Sequence, residues 1–334
     1  MPRFDLPLQA LRAYLPEVDE PTDFDGFWAA TLRESRAAGA TAEAAGASGN
    51  AVVRTPVPSP LALFDVEDVR FPGFAGDPVR AWLVLPRGLP RPLPAVVEFV
   101  GYGRGRGLAH ERLHWPSAGY AQLIVDTRGQ GSQYGTGGAT PDPHGSGPAA
   151  PGFLTRGIDA PETYYYRRVF TDAVRAIDAV RTFPEIDPAA VAVVGNSQGG
   201  AIAIAAAGLS DGLVAVLPSA PILSDLRRVI GLTGEEPYAE IVRYLAVHRG
   251  AEDRIFETLS YFDGVSFAKR ATAPALFSTG HMDTIAPPSG VYAAKNHWGA
   301  PAELVDYPWN HHEGGESVHW ERQAEWLAEV LAYA

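Results

Sequence analysis

The chain contains no cysteine. That excludes disulfides, thiolate nucleophiles and thiolate metal ligands together, and it fits a cytoplasmic protein. Lysine occurs only at Lys269 and Lys295, so arginine carries almost all the positive charge, a bias of base composition rather than of function. Positive charge is also outweighed: the formal net charge is -12. This argues against a nucleic-acid partner and against a polybasic membrane anchor. No run approaches ~18 uninterrupted apolar residues, so no transmembrane helix and no membrane partner are expected. The opening "MPRFDLPLQALRAYLPEVDE" carries acidic residues and lacks an apolar signal core, so a cleaved leader is not expected. No internal repeat is present.

What remains is a globular composition, 46% hydrophobic and 20% charged over 334 residues. "DFDGFWAATLRES" predicts a short helix with Phe24, Phe27, Trp28 and Leu32 on one side. Residues 36–50, small and polar, predict a surface connector. Strand-like runs follow: "LFDVEDVRF", "VRAWLVLP", "AVVEFVG", "AQLIVDT", "VAVVG", "AVLPSAP", "PALFSTG" and "AELVDYP". The first two alternate as half-exposed antiparallel strands do, and the later ones are continuously apolar, as in strands covered on both faces. Helical segments separate the later runs, with Val169, Ala173, Ile177 and Val180 on one stripe and Trp320, Leu327 and Leu331 on another. The expected class is therefore α/β: a mostly parallel central sheet with antiparallel N-terminal strands and helices on both faces. Residues 224–260 look helical and are expected to cover the sheet edge. The Gly/Pro-rich stretch at 131–161 lies off the scaffold.

"VAVVGNSQGGAIAIAAAG" places Gly195-Asn196-Ser197-Gln198-Gly199 between an apolar strand and an apolar helix. This is G-x-S-x-G in the context it requires, a nucleophile elbow. A sharp strand-to-helix turn crowds the backbone, and glycines on either side of the serine avoid a Cβ clash. The helix start behind Ser197 offers free N–H groups to a developing oxyanion.

A nucleophilic serine needs a base, and the base an orienting acid, here in the chain order Ser, acid, His. After "PALFSTG" comes Asp283; after "AELVDYP" come His311 and His312. His281 precedes the acid and sits on the wrong loop. "HHEGGESVH" is not H-E-x-x-H and has no ligand spacing, so no metal is expected. One oxyanion donor should be the residue after the nucleophile, Gln198, and the other should come from the loop of "VVEFVGYGRG". Gly101-Tyr102-Gly103 lacks the βαβ context of a dinucleotide loop.

With these residues placed, the chain resembles the acetyl xylan esterase / cephalosporin C deacetylase family, carbohydrate esterase family seven. The likeness runs from "FDLPLQALRAYLPE" through "GYGRGRG", "DTRGQGS", "PGFLTRGI", "PYAEI" and "PALFSTGHMD" to "NHHEGG". Its three signatures read here as Arg128-Gly129-Gln130, Gly195 to Gly199, and His312-Glu313. The resemblance implies an α/β-hydrolase fold as a single domain over 1–334, with an N-terminal helical extension (about 1–50) and an inserted interface loop (about 131–161). It implies Ser197, Asp283 and His312 as the triad, the H-E pair favouring His312 over His311. The oxyanion hole would be the backbone N–H groups of Tyr102 and Gln198. Tyr102, Pro237 and Ile285 would line a small acyl pocket, and Arg128 and Gln130 would be structural near the site. The implied substrates are small acetylated sugars, xylo-oligosaccharides among them, and cephalosporin C. No cofactor is implied, and the implied assembly is a hexamer, a trimer of dimers, to which the 131–161 loop and Tyr164-Tyr165-Tyr166 would contribute. Early in that loop Tyr134 is the nearest candidate for an aromatic on the acceptor side. Two other classes fit less well. A prolyl-oligopeptidase-type serine peptidase usually carries a large extra domain, and a non-catalytic hydrolase-like binding protein typically loses a triad member.

Overall fold

The computed structural model describes residues 4–44, 51–144 and 152–333. Two N-terminal helices, α1 (Leu8–Arg12) and α2 (Phe24–Ala44), precede three strands, β1 (Val53–Pro56), β2 (Phe64–Pro72) and β3 (Pro78–Pro86). An alternating half follows: β4 (Leu93–Phe99), the short α3 (His114–Ser117), β5 (Ala121–Val125), α4 (Tyr165–Val180), β6 (Ile186–Asn196), α5 (Gln198–Leu209) and β7 (Ala215–Ser219). Then come α6 (Leu226–Leu232), α7 (Ala239–Val247), α8 (Glu252–Ser260) and α9 (Gly264–Ala268). The chain closes with β8 (Ala275–Gly280), α10 (Pro288–Asn296), β9 (Ala302–Tyr307) and α11 (Glu316–Tyr333).

The strands form one sheet in the order β1-β2-β3-β5-β4-β6-β7-β8-β9. Pairings from β1 through β3 to β5 are antiparallel, and the others are parallel. This is the α/β architecture expected from the alternation of apolar runs and amphipathic helices. β1 has no counterpart among the expected strands, because "VRTP" is short, polar and half exposed at the sheet edge. The chain moves outward from β4 to β5, then crosses back to β6 on the other side of β4. The strand order therefore reverses between β4 and β6, and open α/β sheets bind ligands at the carboxyl ends of such strands.

Alternate residues of β4 and β6 face opposite layers. Val97, Phe99 and Val193 join the large core beneath α4 and α5, where Val169, Ala173, Ile177 and Val180 are buried. Val96 and Val194 join a second cluster with Trp115 of α3 and Leu327 of α11, against which Trp320 and Leu331 pack.

Two expectations need correction here. The connector at 36–50 is instead helical as far as Ala44, with residues 45–50 outside the described part. Thr31, Ser35 and Gly39 continue the buried stripe begun by Trp28 and Leu32 at helical spacing. The small residues mark close packing rather than a linker: a Cβ on Gly39 would lie 3.2 Å from Pro72. Trp28 fixes this helix to the body, its ring against Phe170, Phe262 and Phe267 and its indole N–H donating to Tyr261 O at 3.1 Å. Residues 224–260 are helical, as expected, but they meet the loops above the sheet. The Leu223 N–H donates to Tyr238 OH at 2.7 Å, and Glu240 of α7 accepts from Tyr102 in the loop after β4.

Candidate active site

Ser197 stands at the strand-order reversal, between the end of β6 and the first residue of α5. Its φ of 59° and ψ of -120° put a non-glycine residue in the left-handed half of backbone space. Such a conformation costs about 1–3 kcal/mol and persists only where the surroundings enforce it. They do so here: the Ser197 N–H donates to Ser219 O at 2.9 Å, and its carbonyl accepts from Ala201 and Ile222. A Cβ on Gly195 would lie 2.2 Å from the Gly199 carbonyl, and one on Gly199 would lie 2.2 Å from Phe99 O. Neither backbone can yield, so the turn requires glycine at both positions.

His312 lies with Nε2 2.8 Å from Ser197 Oγ and Nδ1 2.8 Å from Asp283 Oδ2. Asp283 is fully buried, and its Oδ1 accepts from the N–H groups of Ile285 and Ala286, both at 2.8 Å. These bonds fix the carboxylate and stabilise its charge. Facing that carboxylate, Nδ1 is the nitrogen that carries the proton, which leaves Nε2 to accept from the serine hydroxyl. The loop is stapled by Glu313, whose carboxylate accepts from Asn310 Nδ2 and His311 N. His311 points elsewhere, with Nε2 2.8 Å from Thr284 Oγ1. His281 also lies apart, paired through Nε2 with Asp306 at 2.5 Å.

Gln198 opens α5, so its N–H is among those a helix leaves without an intrahelical partner. Its buried side chain is held by three groups: Oε1 accepts from Gln130 Nε2 at 2.9 Å and Tyr166 OH at 3.0 Å, and Nε2 donates to Val100 O at 3.3 Å. Gln130 Oε1 in turn accepts from Gly103 N at 2.7 Å. Gln130 thus bridges the start of α5 and the Gly101–Gly103 turn. Arg128 is wholly buried and forks onto Asp172 at 2.6 and 2.8 Å, with Asp77 at 3.1 Å.

Tyr102 stands at the opposite side of the site. Its hydroxyl donates to Glu240 and accepts from Gly152 N and Phe153 N. Burial and the Glu240 charge push the phenol far above its ordinary range, so it stays neutral. Burial likewise raises the Glu240 carboxyl. Glu240 was not singled out in the sequence, although it lies within the quoted "PYAEI"; a carboxylate on the apolar side of a helix is the signal.

Ser197, His312, Tyr102, Pro237 and Ile285 line one cavity of about 550 Å³, within the ~300–1,000 Å³ typical of small-molecule sites. Tyr134 lines it too and remains 49% exposed. Glu98, Arg112, Trp115 and Trp320 extend the cavity on its other side and were not anticipated. The available signal was a lone carboxylate inside the apolar run "AVVEFVG".

The tyrosine cluster requires a correction. Tyr164, Tyr165 and Tyr166 are buried within this chain's own core and hold the site from behind, Tyr165 OH donating to Arg128 O at 2.6 Å. They offer no surface to a neighbour. The described parts of 131–161 are also anchored within the chain. Asp142 pairs with Arg168, Ala139 N donates to Asp126, and Phe153 and Leu154 are buried. Residues 145–151 of that stretch lie outside the described part. Among the described residues no group of three or more His, Asp or Glu side chains could hold a metal ion, and no helix is long and apolar enough to cross a membrane.

Residues 1–330 match the family described as acetyl xylan esterase (AXE1). Among solved structures, an acetyl xylan esterase from Paenibacillus sp. R4 is 35% identical with a TM-score of 0.86, the match covering 97% of this chain and 99% of that one. Acetyl xylan esterase 1 from Thermoanaerobacterium sp. JW/SL YS485 is 29% identical, also with a TM-score of 0.86, covering 98% and 99%. Acetyl esterase Axe7A of Xylanibacter ruminicola is 33% identical over 162 residues, 48% of this chain. That match spans 36% of the relative's length.

Proposed function

The chain belongs to the acetyl xylan esterase family and is a carboxylic ester hydrolase, and from that premise we propose that it is a serine esterase removing O-acetyl groups from small acetylated sugars, xylo-oligosaccharides among them, and from cephalosporin C. The observation that carries this reading is the run of two 2.8 Å hydrogen bonds from Asp283 through His312 to Ser197.

In the proposed reaction Ser197 Oγ attacks the acetyl carbonyl carbon while His312 Nε2 takes the hydroxyl proton. Asp283 holds the imidazole tautomer and stabilises the imidazolium. The carbonyl oxygen, now an oxyanion, accepts from the N–H groups of Gln198 and Tyr102, and each such donor contributes about 3 kcal/mol at the transition state. The ester C–O bond then breaks, and His312 gives its proton to the departing sugar oxygen. Water, deprotonated by the same histidine, attacks the acetyl group on Ser197 and releases acetate. Tyr102, Pro237 and Ile285 close the space beyond the acetyl methyl. Arg128 and Gln130 act through others: the arginine ties loops by its ion pairs, and Gln130 aligns the two oxyanion donors.

The wider organisation is read as one α/β-hydrolase domain with an N-terminal extension over about 1–50 and an inserted loop over about 131–161. The assembly is read as a hexamer, and the lack of cysteine supports a cytoplasmic address. The test of the chemistry is acetate release from acetylated xylose and cephalosporin C, with p-nitrophenyl acetate as reporter and an organophosphonate as covalent label. Turnover that leaves Ser197 unlabelled, or that survives Ser197→Ala, would overturn the serine mechanism.

A further inference from the structure

We propose that Asp5 is a positioning residue for the orienting acid Asp283. It stands at the head of a strap formed by residues 4–14, fixes the start of α10, and through it sets the placement of Asp283 and Ile285. The proposal rests on the serine-esterase reading above and adds to it a residue that never touches the substrate.

The start of α10 has no cap of its own. Pro287 precedes the helix with no side-chain acceptor to offer, and Pro288 opens it. The first N–H that needs a partner is that of Ser289. Ser289 is fully buried, so solvent does not supply one. Asp5 does, from 284 residues away in sequence: its Oδ2 accepts from Ser289 N at 2.7 Å. Its Oδ1 accepts from Leu6 N at 2.8 Å and from Arg228 Nη2 at 3.0 Å. Arg228 Nε closes the ring by donating to Ser289 Oγ at 3.1 Å. The Asp5 side chain is only 2% exposed. The rest of the strap is tied down independently. Leu11 is buried, and Asn296, the last residue of α10, donates to Tyr14 O at 2.8 Å. Tyr14 OH donates to Asp225 Oδ2 at 2.7 Å, just ahead of α6.

Two short paths lead from Asp5 to the acid. The first runs along the chain. Asp283 Oδ1 is held by the N–H groups of Ile285 and Ala286, and only Pro287 and Pro288 separate Ala286 from Ser289. Each proline fixes its own φ and restricts the residue before it, so this link has little slack. A shift at Ser289 is therefore carried to the amides that hold the Asp283 carboxylate and to Ile285, which lines the cavity with Ser197. The second path runs through α6, which carries Arg228. Thr233, directly after that helix, donates through Oγ1 to Thr284 O, the carbonyl next to the acid. Asp5 thus anchors both elements that reach the acid loop. Without it, Ser289 N is left buried and unpaired, a cost that a displaced helix start relieves.

The experiment compares Asp5→Ala, Asp5→Asn and Asn296→Ala in the full chain, well below each variant's Tm, with p-nitrophenyl acetate and p-nitrophenyl butyrate as substrates. Asp5→Ala is expected to lower kcat on the acetate by about tenfold, since small misplacements of a catalytic group are costly. It is also expected to lower the ratio of kcat/KM on acetate to kcat/KM on butyrate by about threefold, because Ile285 moves with the acid loop. A loss of stability alone would leave that ratio unchanged. Asp5→Asn keeps an oxygen for Ser289 N and should be intermediate in both measurements. Asn296→Ala loosens the same strap at the other end of α10 and should lower Tm, with kcat and the ratio within about twofold of wild type. Wild-type kcat and ratio in a folded Asp5→Ala would overturn the proposal. So would Asn296→Ala reproducing both effects, because docking of the strap at large would then be responsible. If Asp5→Ala does not fold, the same two readouts on Asp5→Asn decide. Hydrolysis that survives Ser197→Ala would remove the serine mechanism and this role with it, whereas hydrolysis that needs Ser197 but not Asp5 removes this role alone.

Discussion

Tyr102 and Glu240 are 138 residues apart in sequence, yet the phenol donates directly to the carboxylate. The same carboxylate accepts from Gly152 N at 2.8 Å and Leu154 N at 2.9 Å. One buried side chain thus ties together the turn after β4, the end of the 131–161 insertion and α7. Removing an acceptor from such a network leaves buried donors unpaired, at about 1–3 kcal/mol each. Glu240→Ala is therefore expected to lower kcat/KM on acetyl esters by about tenfold and to lower Tm by several degrees, with Glu240→Gln intermediate. Steady-state kinetics and thermal unfolding check this. Full activity in Glu240→Ala would show that the tie does not position Tyr102.

The two neighbouring histidines should separate cleanly. Ser197→Ala is expected to reduce kcat on the order of 10⁵–10⁶-fold with folding intact, and His312→Ala comparably. His311→Ala should retain much of the activity, because its ring bonds Thr284 rather than Ser197. A crippled His311→Ala beside an active His312→Ala would reassign the base.

Much of this was legible from residue patterns. The apolar runs marked the strands from Phe64 onward, and glycine spacing around Ser197 marked the turn whose crowding the structure displays. Asp283 and the pair His311-His312 could be picked out because each follows a late strand, whereas the choice of His312 within that pair came from the His312-Glu313 signature of the family resemblance. The length of α2 was not legible, because Ala, Gly and Ser serve linkers and close-packed helices alike. The interior placement of Tyr164 to Tyr166 was hidden for a related reason: aromatics suit cores and interfaces equally, and only tertiary packing decides. Glu98 and Arg112 meet across 14 residues through the fold, a pairing that no local spacing announces.

Acyl length should report on the near side of the cavity. If Tyr102, Pro237 and Ile285 close just beyond an acetyl methyl, each added methylene clashes. From acetyl through propionyl to butyryl, kcat/KM should fall by about tenfold or more per step. Equal turnover of an octanoyl ester would favour a general carboxylesterase.

The assembly expectation now rests on the family resemblance, since the tyrosine cluster is internal. Large exposed apolar side chains such as Trp309, 79% exposed, and Val247, 72% exposed, suit burial between subunits. Light scattering should report about six times the 35.7 kDa chain mass. Activity should drop sharply from acetylated oligosaccharide to polymeric xylan if the sites face an enclosed chamber. A monomer equally fast on both would defeat the expectation.

His319 supplies a stability prediction with a definite sign. It lies buried on α11, with Nδ1 3.2 Å from Tyr307 OH and Nε2 lacking a hydrogen-bond partner among the described residues. Burial, aided by the nearby Arg322 charge, pushes its pKa down to about 4. In the unfolded chain a histidine titrates near ~6.5. Between these two values the unfolded chain binds a proton that the folded chain refuses, so folding weakens as pH falls through that window. The contribution is fully present above about pH 6.5 and is lost progressively toward pH 4, amounting to about 3 kcal/mol at most. Tm measured from pH 7 to pH 4 should therefore decline in the wild type. His319→Gln, which has no proton to gain, should show a shallower decline, whatever its stability at pH 7. Parallel Tm curves for the two proteins would show that this imidazole titrates alike in the folded and unfolded states.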